Sequence, residues 1–113
     1  MPAEPSFPVE LEVGRIRALL RERHYAEALR AADALCGRVP ENRDALYLRA
    51  RAQRLSGATA AALATLLELE RLHPRFSRLH EERGLCHVAL RQAPEAIGAL
   101  LEAVRINPAL PAS

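Results

Sequence analysis

Apolar residues recur along this chain at intervals of three and four, which is the spacing that places side chains on one face of a helix. In the first such segment Val13, Ile16 and Leu20 share a face, while Arg17 and Arg21 point elsewhere. The same pattern is interrupted and restarted along the chain and predicts six helices. They run from about Val9 to Arg23, Ala26 to Arg38, Arg43 to Leu55, Thr59 to Leu72, Ser77 to Arg91, and from near Pro94 to just before Asn107.

The segments between these helices carry residues that end or begin helices. Gly57 suits the left-handed position that follows a helix, and Thr59 is placed to cap the helix that comes next. Pro94 falls in a first turn, where its missing N–H removes no hydrogen bond. Six helices with short connections predict an all-α antiparallel array.

Three prolines divide the chain into units of equal length. Pro40, Pro74 and Pro108 are separated by 34 residues, and each has an alanine twelve positions before it. A period of 34 residues is typical of helix–turn–helix repeats, in which a helix pair buries its apolar face only by stacking on its neighbours. The predicted repeats span residues 9–40, 43–74 and 77–108, between short tails at residues 1–8 and 109–113.

The composition fits helices and argues against a nucleic-acid partner. Half of the 113 residues are apolar but only 4% are aromatic, so the core must be built from Ala and Leu, which favours close-packed helices. The net charge of +2, with acids interleaved among the bases, does not suggest a nucleic-acid partner. All 16 basic residues are Arg, which fits either bidentate anion recognition or ordinary use of Arg as a helix former.

The cysteines, the N-terminal residues and the lengths of the apolar runs indicate where in the cell the protein is expected. Cys36 and Cys86 stand at non-equivalent places in different units, so buried reduced thiols are expected. The N-terminal residues lack a basic region followed by an apolar run, so no secretory signal is predicted. No stretch approaches 18 uninterrupted apolar residues. We therefore expect a cytoplasmic protein with no membrane partner.

The repeat units resemble tetratricopeptide repeats over residues 9–108. The best match is the second unit, through its segment Ala45–Ala50 followed by Gly57, Ala62, Leu69 and Pro74. The resemblance implies a right-handed superhelix whose first helices line a concave groove for peptides or protein surfaces. It also implies a small residue in each first helix, a role that Ala50 and Gly84 fill. Ile16 stands at that place in the first unit, which is therefore interpreted as a degenerate N-terminal repeat.

A narrower resemblance concerns the third unit. The run from His73 to Gly84, with the residues from Asn107 to Ser113, is similar to the repeat region that precedes the catalytic domain in bacterial tetratricopeptide-repeat sulfotransferases. It implies the alternative that this chain is an accessory region of a larger enzyme.

The sequence offers little catalytic or metal-binding chemistry. His80 and His87 lie on one helical face with Cys86 beside them, but a zinc site needs further converging ligands, so packed histidines are favoured. No nucleophile or phosphate-binding motif is present, and we predict a non-catalytic protein without cofactor or metal. Adjacent acids such as Glu81 and Glu82 are interpreted as a solvated helix face.

The groove implied by the family resemblance is a more specific hypothesis than any catalytic or metal site. Mapping its concave face onto the first helices predicts these residues: Val13, Arg17, Leu20, Arg21, Tyr47, Arg51, Arg54, Arg78, Glu81, Leu85 and Val88. Five arginines against one acid suit an acidic or carboxylate-bearing segment of a protein partner, and the alternative is a merely solvated surface. The carboxylate clamp of chaperone-binding repeats is not reproduced, because Val13, Leu48 and Glu82 stand at its positions.

The last predicted helix has more apolar residues than one neighbour can cover. Leu100, Leu101 and Val104 cannot all face the fifth helix, and repeat arrays usually cover the end of the last unit. The sequence therefore predicts either a further repeat or domain after residue 113, or self-association through the C-terminal repeat.

Overall fold

Helices account for all the regular structure in residues 8–109, the part of the chain that the computed structural model describes. They are α1 (Val9–Arg21), α2 (Tyr25–Arg38), α3 (Arg43–Leu55), α4 (Thr59–Leu72), α5 (Ser77–Ala89) and α6 (Ala93–Ile106). The predicted tails, apart from Pro8 and Ala109, lie outside the described residues. The all-α repeat fold predicted from the sequence is confirmed.

The helices form two layers. Each helix packs antiparallel on the next, and the first helices of successive units, α1, α3 and α5, also pack side by side. These three form the inner layer, and the array measures 52 × 27 × 23 Å. Repetition of one helix pair with a constant offset gives the superhelix of a repeat protein, with the first helices on its concave side.

Helices α1 and α5 are shorter than the sequence pattern predicts. They end at Arg21 and Ala89 because the residues that follow leave the helical region, with Arg23 at φ 64° and Arg91 at φ 61°. Gly57 holds the same place after α3, at φ 90°, and confirms the predicted left-handed cap. The first and third units place arginine at this position, so no glycine marks the end of the helix in the sequence.

Two predictions concerned the N-termini of helices: the one for α6 is confirmed, and the one for α4 is wrong. Pro94 lies in the first turn of α6 as expected. Thr59, predicted to cap α4, is instead the first residue of that helix, and Ala58 holds the cap position without a side-chain hydrogen bond. The side-chain cap belongs to Asn42, whose Oδ1 accepts a hydrogen bond of 2.9 Å from the Ala45 N–H at the start of α3.

The buried core follows the predicted apolar stripes. It is formed mainly by alanine and leucine, and both cysteines lie in it as free thiols, which confirms that prediction. Leu67 of α4 is an exception among the leucines, since its side chain is exposed.

The two helices of the third unit meet at Gly84 and Leu100, and the corresponding positions of the other units hold residues of different sizes. The first position holds Ile16, Ala50 and Gly84 in successive units, and the position sixteen residues later holds Ala32, Leu66 and Leu100. A Cβ on Gly84 would lie 2.7 Å from Cγ of Leu100. Glycine thus leaves room for leucine in the third unit, while the first unit combines isoleucine with alanine.

Candidate functional site

A depression of about 270 Å³ opens on the inner layer between α3 and α5. Its lining is Tyr47, Arg51, Arg54, Arg78, Glu81, Glu82 and Leu85. All of these except Glu82 belong to the groove predicted from the sequence. Helical spacing brings them together, because residues 47, 51 and 54 share a face of α3 and residues 78, 81 and 85 share a face of α5.

Tyr47, which lines the depression, belongs to an aromatic pair. The ring of Tyr47 meets the ring of Phe76 edge to face, with centroids 5.5 Å apart. The guanidinium of Arg43 lies 4.6 Å from the centroid of Phe76, which adds a cation–π contact. Burial raises the pKa of the Tyr47 hydroxyl, so the phenol stays neutral and keeps its proton for hydrogen bonding at neutral pH.

The floor of the depression is an ion pair that links the second and third units. Arg54 donates from Nε and Nη2 to the two carboxylate oxygens of Glu82, and the Nη2–Oε1 distance is 3.3 Å. The side chain of Glu82 is 2% exposed and that of Arg54 is 17% exposed. Burial alone would lower the pKa of Arg54, but the hydrogen bonds and the charge of Glu82 raise it overall.

Glu82 was predicted to be solvated, and that prediction is wrong. The residue 34 positions earlier is Leu48, which is fully buried, so the repeat itself marks this position as an inter-unit contact. Glu82 also lies between Leu79 and Cys86 on the buried face of α5. Repeat alignment was the signal that could have found it.

Arg51 is the cation left most available by this arrangement. Its Nε lies 3.9 Å from Oε1 of Glu82, beyond hydrogen-bonding distance, and its side chain is 36% exposed. Arg78 pairs with Glu81 through a hydrogen bond of 2.9 Å. Three arginines therefore face two carboxylates in the depression, a smaller positive excess than the five to one counted from the sequence.

The other predicted groove residues lie elsewhere. Val13 and Leu20 are buried in the core, so their side chains are not offered to a ligand. Arg17 and Arg21 are exposed on α1, and Val88 is exposed near the end of α5. None of these five residues lines the depression.

The two histidines of α5 border a separate cavity of about 440 Å³ between α4, α5 and α6. His80 is buried, and burial together with the neighbouring Arg83 lowers its pKa. Arg83 donates a hydrogen bond of 2.7 Å to Glu70, and Nδ1 of His87 lies 2.7 Å from Oε1 of Gln92. Across residues 8–109, no three His, Cys, Asp or Glu side chains converge in a way that could hold a metal ion.

Cys86 lies on α5, one helical turn after Glu82, and is fully buried. Burial and the charge of Glu82 raise the pKa of its thiol to about 11. Because the thiolate is the reactive form, we expect Cys86 to react with a thiol reagent at pH 8 roughly 100-fold more slowly than an unperturbed cysteine. A Cys36→Ala variant isolates Cys86 for timed labelling. Labelling as fast in the native protein as in urea would contradict this expectation.

Comparison with known proteins identifies the repeats. A family model described as "Tetratricopeptide repeat" matches residues 13–74 and 59–111, which together span most of the chain. No curated protein sequence matches this chain.

Solved structures share the fold at low sequence identity. The Yersinia enterocolitica type III secretion translocator chaperone SycD, in an alternative dimer, is 16% identical with a TM-score of 0.85, covering 95% of this chain and 81% of its own. SycD in complex with a peptide of the translocator YopD gives a TM-score of 0.82 at 15% identity, covering 95% and 82%. The first repeat domain of Spaghetti (RPAP3), bound to the HSP90 peptide SRMEEVD, gives 0.80 at 18% identity, covering 90% and 81%.

The sequence analysis also raised a resemblance to sulfotransferase repeat regions and the question of a membrane span. The resemblance to a sulfotransferase repeat region finds no support in the family model or in the structures named above. Between Pro8 and Ala109, none of the helices combines the length and apolar character needed to cross a bilayer.

Proposed function

Because this chain belongs to the tetratricopeptide repeat family, we propose that it is a non-catalytic interaction module that binds a peptide or protein surface on its concave inner layer. The repeats at residues 9–40, 43–74 and 77–108 are its structural units. The observation that carries the proposal is the depression between α3 and α5, where six of the predicted groove residues meet.

The chemistry of the depression favours an extended segment with one acidic side chain flanked by apolar ones. Arg51 offers a guanidinium that is not saturated by Glu82, and a ligand carboxylate can accept hydrogen bonds from it. Tyr47 and Leu85 provide apolar contacts on either side. Arg17 and Arg21 are exposed on α1, outside the depression.

The structural relatives support a peptide ligand. SycD was solved with a peptide of YopD, and the RPAP3 domain with the HSP90 peptide SRMEEVD. The depression of this chain holds the buried Glu82, a carboxylate, at a position where the clamp of chaperone-binding repeats requires a polar or basic group. A ligand with one acid therefore fits this site better than a strongly acidic tail.

Reversing the charge of Arg51 tests the groove. Acid-containing peptides are first selected from a randomised 12-residue library. We expect Arg51→Glu to weaken their binding by about tenfold or more, because it replaces a cation by a second carboxylate next to Glu82, and both repel the carboxylate of the ligand. Arg30→Glu is the matched control, since Arg30 is exposed on α2 of the outer layer. Affinities are measured by fluorescence anisotropy. Equal affinities for the two variants, or a library from which the wild-type chain enriches no peptide, would overturn the groove proposal.

A further inference from the structure

A cavity of about 750 Å³ lies beside the N-terminus of α5, where the connection from α4 meets the end of α6. We call it the loop cavity. Its lining is Arg43, His73, Pro74, Arg75, Phe76, Ser77, Arg78, Ile106 and Asn107. Within residues 8–109 the lining contains three arginines and no Asp or Glu. Arg78 is the one described residue that the loop cavity shares with the depression between α3 and α5.

Repeat alignment shows that the charge of this junction is reversed relative to the preceding one. Glu41 and Asp44 stand 34 positions before Arg75 and Arg78. At the start of α3, Asp44 lies in the first turn and the side chain of Asn42 caps the helix. The start of α5 has neither feature, because its N-cap residue makes no side-chain hydrogen bond and its first turn carries no acid. The positive end of the α5 dipole is therefore not offset by an acid or a side-chain cap within residues 8–109.

Ser77, the first residue of α5, presents unpaired hydrogen-bond donors to the loop cavity. The residue is only 8% exposed, yet its hydroxyl has no hydrogen-bond partner among residues 8–109. The backbone N–H groups of Ser77 and Arg78 also lack an acceptor in this part of the chain, since both belong to the first turn of the helix. A buried polar group without a partner is costly, so these donors favour a ligand with acceptor oxygens.

Arg75 supplies a cation that no acid of the described chain neutralises. Nη2 of Arg43 lies 3.4 Å from Oδ1 of Asp44. Nη1 of Arg78 lies 2.9 Å from Oε1 of Glu81. Arg75 is exposed, and it forms no ion pair with an acid among residues 8–109. Its guanidinium can therefore donate to an anion in the loop cavity without giving up an existing partner.

We propose that the loop cavity binds a phosphate monoester, whose oxygens accept hydrogen bonds from Arg75, from the Ser77 hydroxyl and from the first amides of α5. A phosphate group offers three acceptor oxygens, which match this set of donors better than the two oxygens of a carboxylate. Pro74, Phe76 and Ile106 offer apolar contacts to the organic part of the ester. The ester is either a free small molecule or a phosphorylated side chain of a partner protein.

Isothermal titration calorimetry of the whole chain with phenyl phosphate tests the site. We expect Arg75→Gln and Ser77→Ala each to raise the dissociation constant at least about fivefold, because each removes a hydrogen-bond donor to a charged oxygen. Arg30→Gln is the matched control, since it removes the same charge from an exposed position of α2 outside the loop cavity. It is expected to change the dissociation constant less than about twofold, because salt screens distant charges.

Three results would overturn the proposal. They are a wild-type chain that does not bind phenyl phosphate, an affinity that Ser77→Ala leaves unchanged, and equal weakening by Arg30→Gln and Arg75→Gln. Circular dichroism verifies that every variant is helical. Benzoate serves as the carboxylate comparison, and an affinity for benzoate equal to that for phenyl phosphate would overturn the assignment to a phosphate.

A second experiment distinguishes the two sources of the ester. The immobilised chain is offered two randomised peptide libraries, one with a fixed central phosphoserine and one with serine in its place. Enrichment from the phosphorylated library alone, lost in Ser77→Ala, would support a side chain of a partner protein. Binding of phenyl phosphate without such enrichment would support a free small molecule. Because the calorimetry uses no peptide, failure of the loop cavity and failure of the peptide groove are separate results.

Discussion

Replacing Glu82 by alanine is expected to lower the free energy of unfolding by about 3 kcal/mol, because it removes one partner of a buried ion pair and leaves the other charged. Glu82 is 2% exposed, and its carboxylate holds Arg54 with two hydrogen bonds. Without it, the guanidinium of Arg54 remains between the second and third units beside apolar atoms. Urea denaturation followed by circular dichroism gives the value.

The chain supplies its own control for this ion pair. At the junction between the first and second units, the places of Arg54 and Glu82 are held by Leu20 and Leu48, both buried. The double variant Arg54→Leu/Glu82→Leu copies that junction, and we expect its stability to lie within about 1 kcal/mol of the wild type, because apolar pairs often replace buried ion pairs without loss. If the double variant is as unstable as Glu82→Ala, the loss comes from packing and the electrostatic explanation fails.

Replacing Gly84 by isoleucine is expected to cost about 3 kcal/mol through overpacking. A Cβ at this position would lie 2.7 Å from Cγ and 2.8 Å from Cδ2 of Leu100, and 3.4 Å from the carbonyl oxygen of Ala96. The clash involves the branch point of Leu100, so a simple rotation of that side chain cannot relieve it. The expected loss in the melting temperature is about 10 °C or more for a domain of this size.

A compensating substitution distinguishes size from other effects of losing glycine. The first unit combines Ile16 with Ala32 at the corresponding places, so Gly84→Ile/Leu100→Ala rebuilds a pair that the chain already uses. We expect the double variant to recover at least about half of the lost stability, measured as the coupling energy of a double-mutant cycle. Additive losses from the two substitutions would show that the two positions do not compensate in volume.

Much of the depression could be predicted from the repeat pattern. Tyr47, Arg51 and Arg54, with Arg78, Glu81 and Leu85, were assigned to a groove because helical spacing fixes which residues share a face, and the structure brings these six to one depression. Val13 and Leu20 were assigned by the same mapping, yet they are buried. Their burial follows from the packing of α1 against both α2 and α3.

Local sequence determined the fold of this protein. Apolar spacing within a few turns predicted the six helices, and three prolines 34 residues apart predicted their grouping into pairs, because both signals can be counted along the chain without knowing what packs against what. The sequence pattern did not predict where α1 and α5 end. Arginine holds the left-handed position after each of these helices, where a glycine would have marked the helix end.

Only the tertiary structure decided which charges are shared between units. Whether Glu82 faces water or Arg54 depends on the distance between α3 and α5, which no spacing within one helix specifies. The same holds for Val104 of α6, which is apolar in the sequence but 48% exposed within residues 8–109. Burial is a property of neighbours distant in sequence, so sequence periodicity predicts which residues share a face and tertiary packing decides what that face meets.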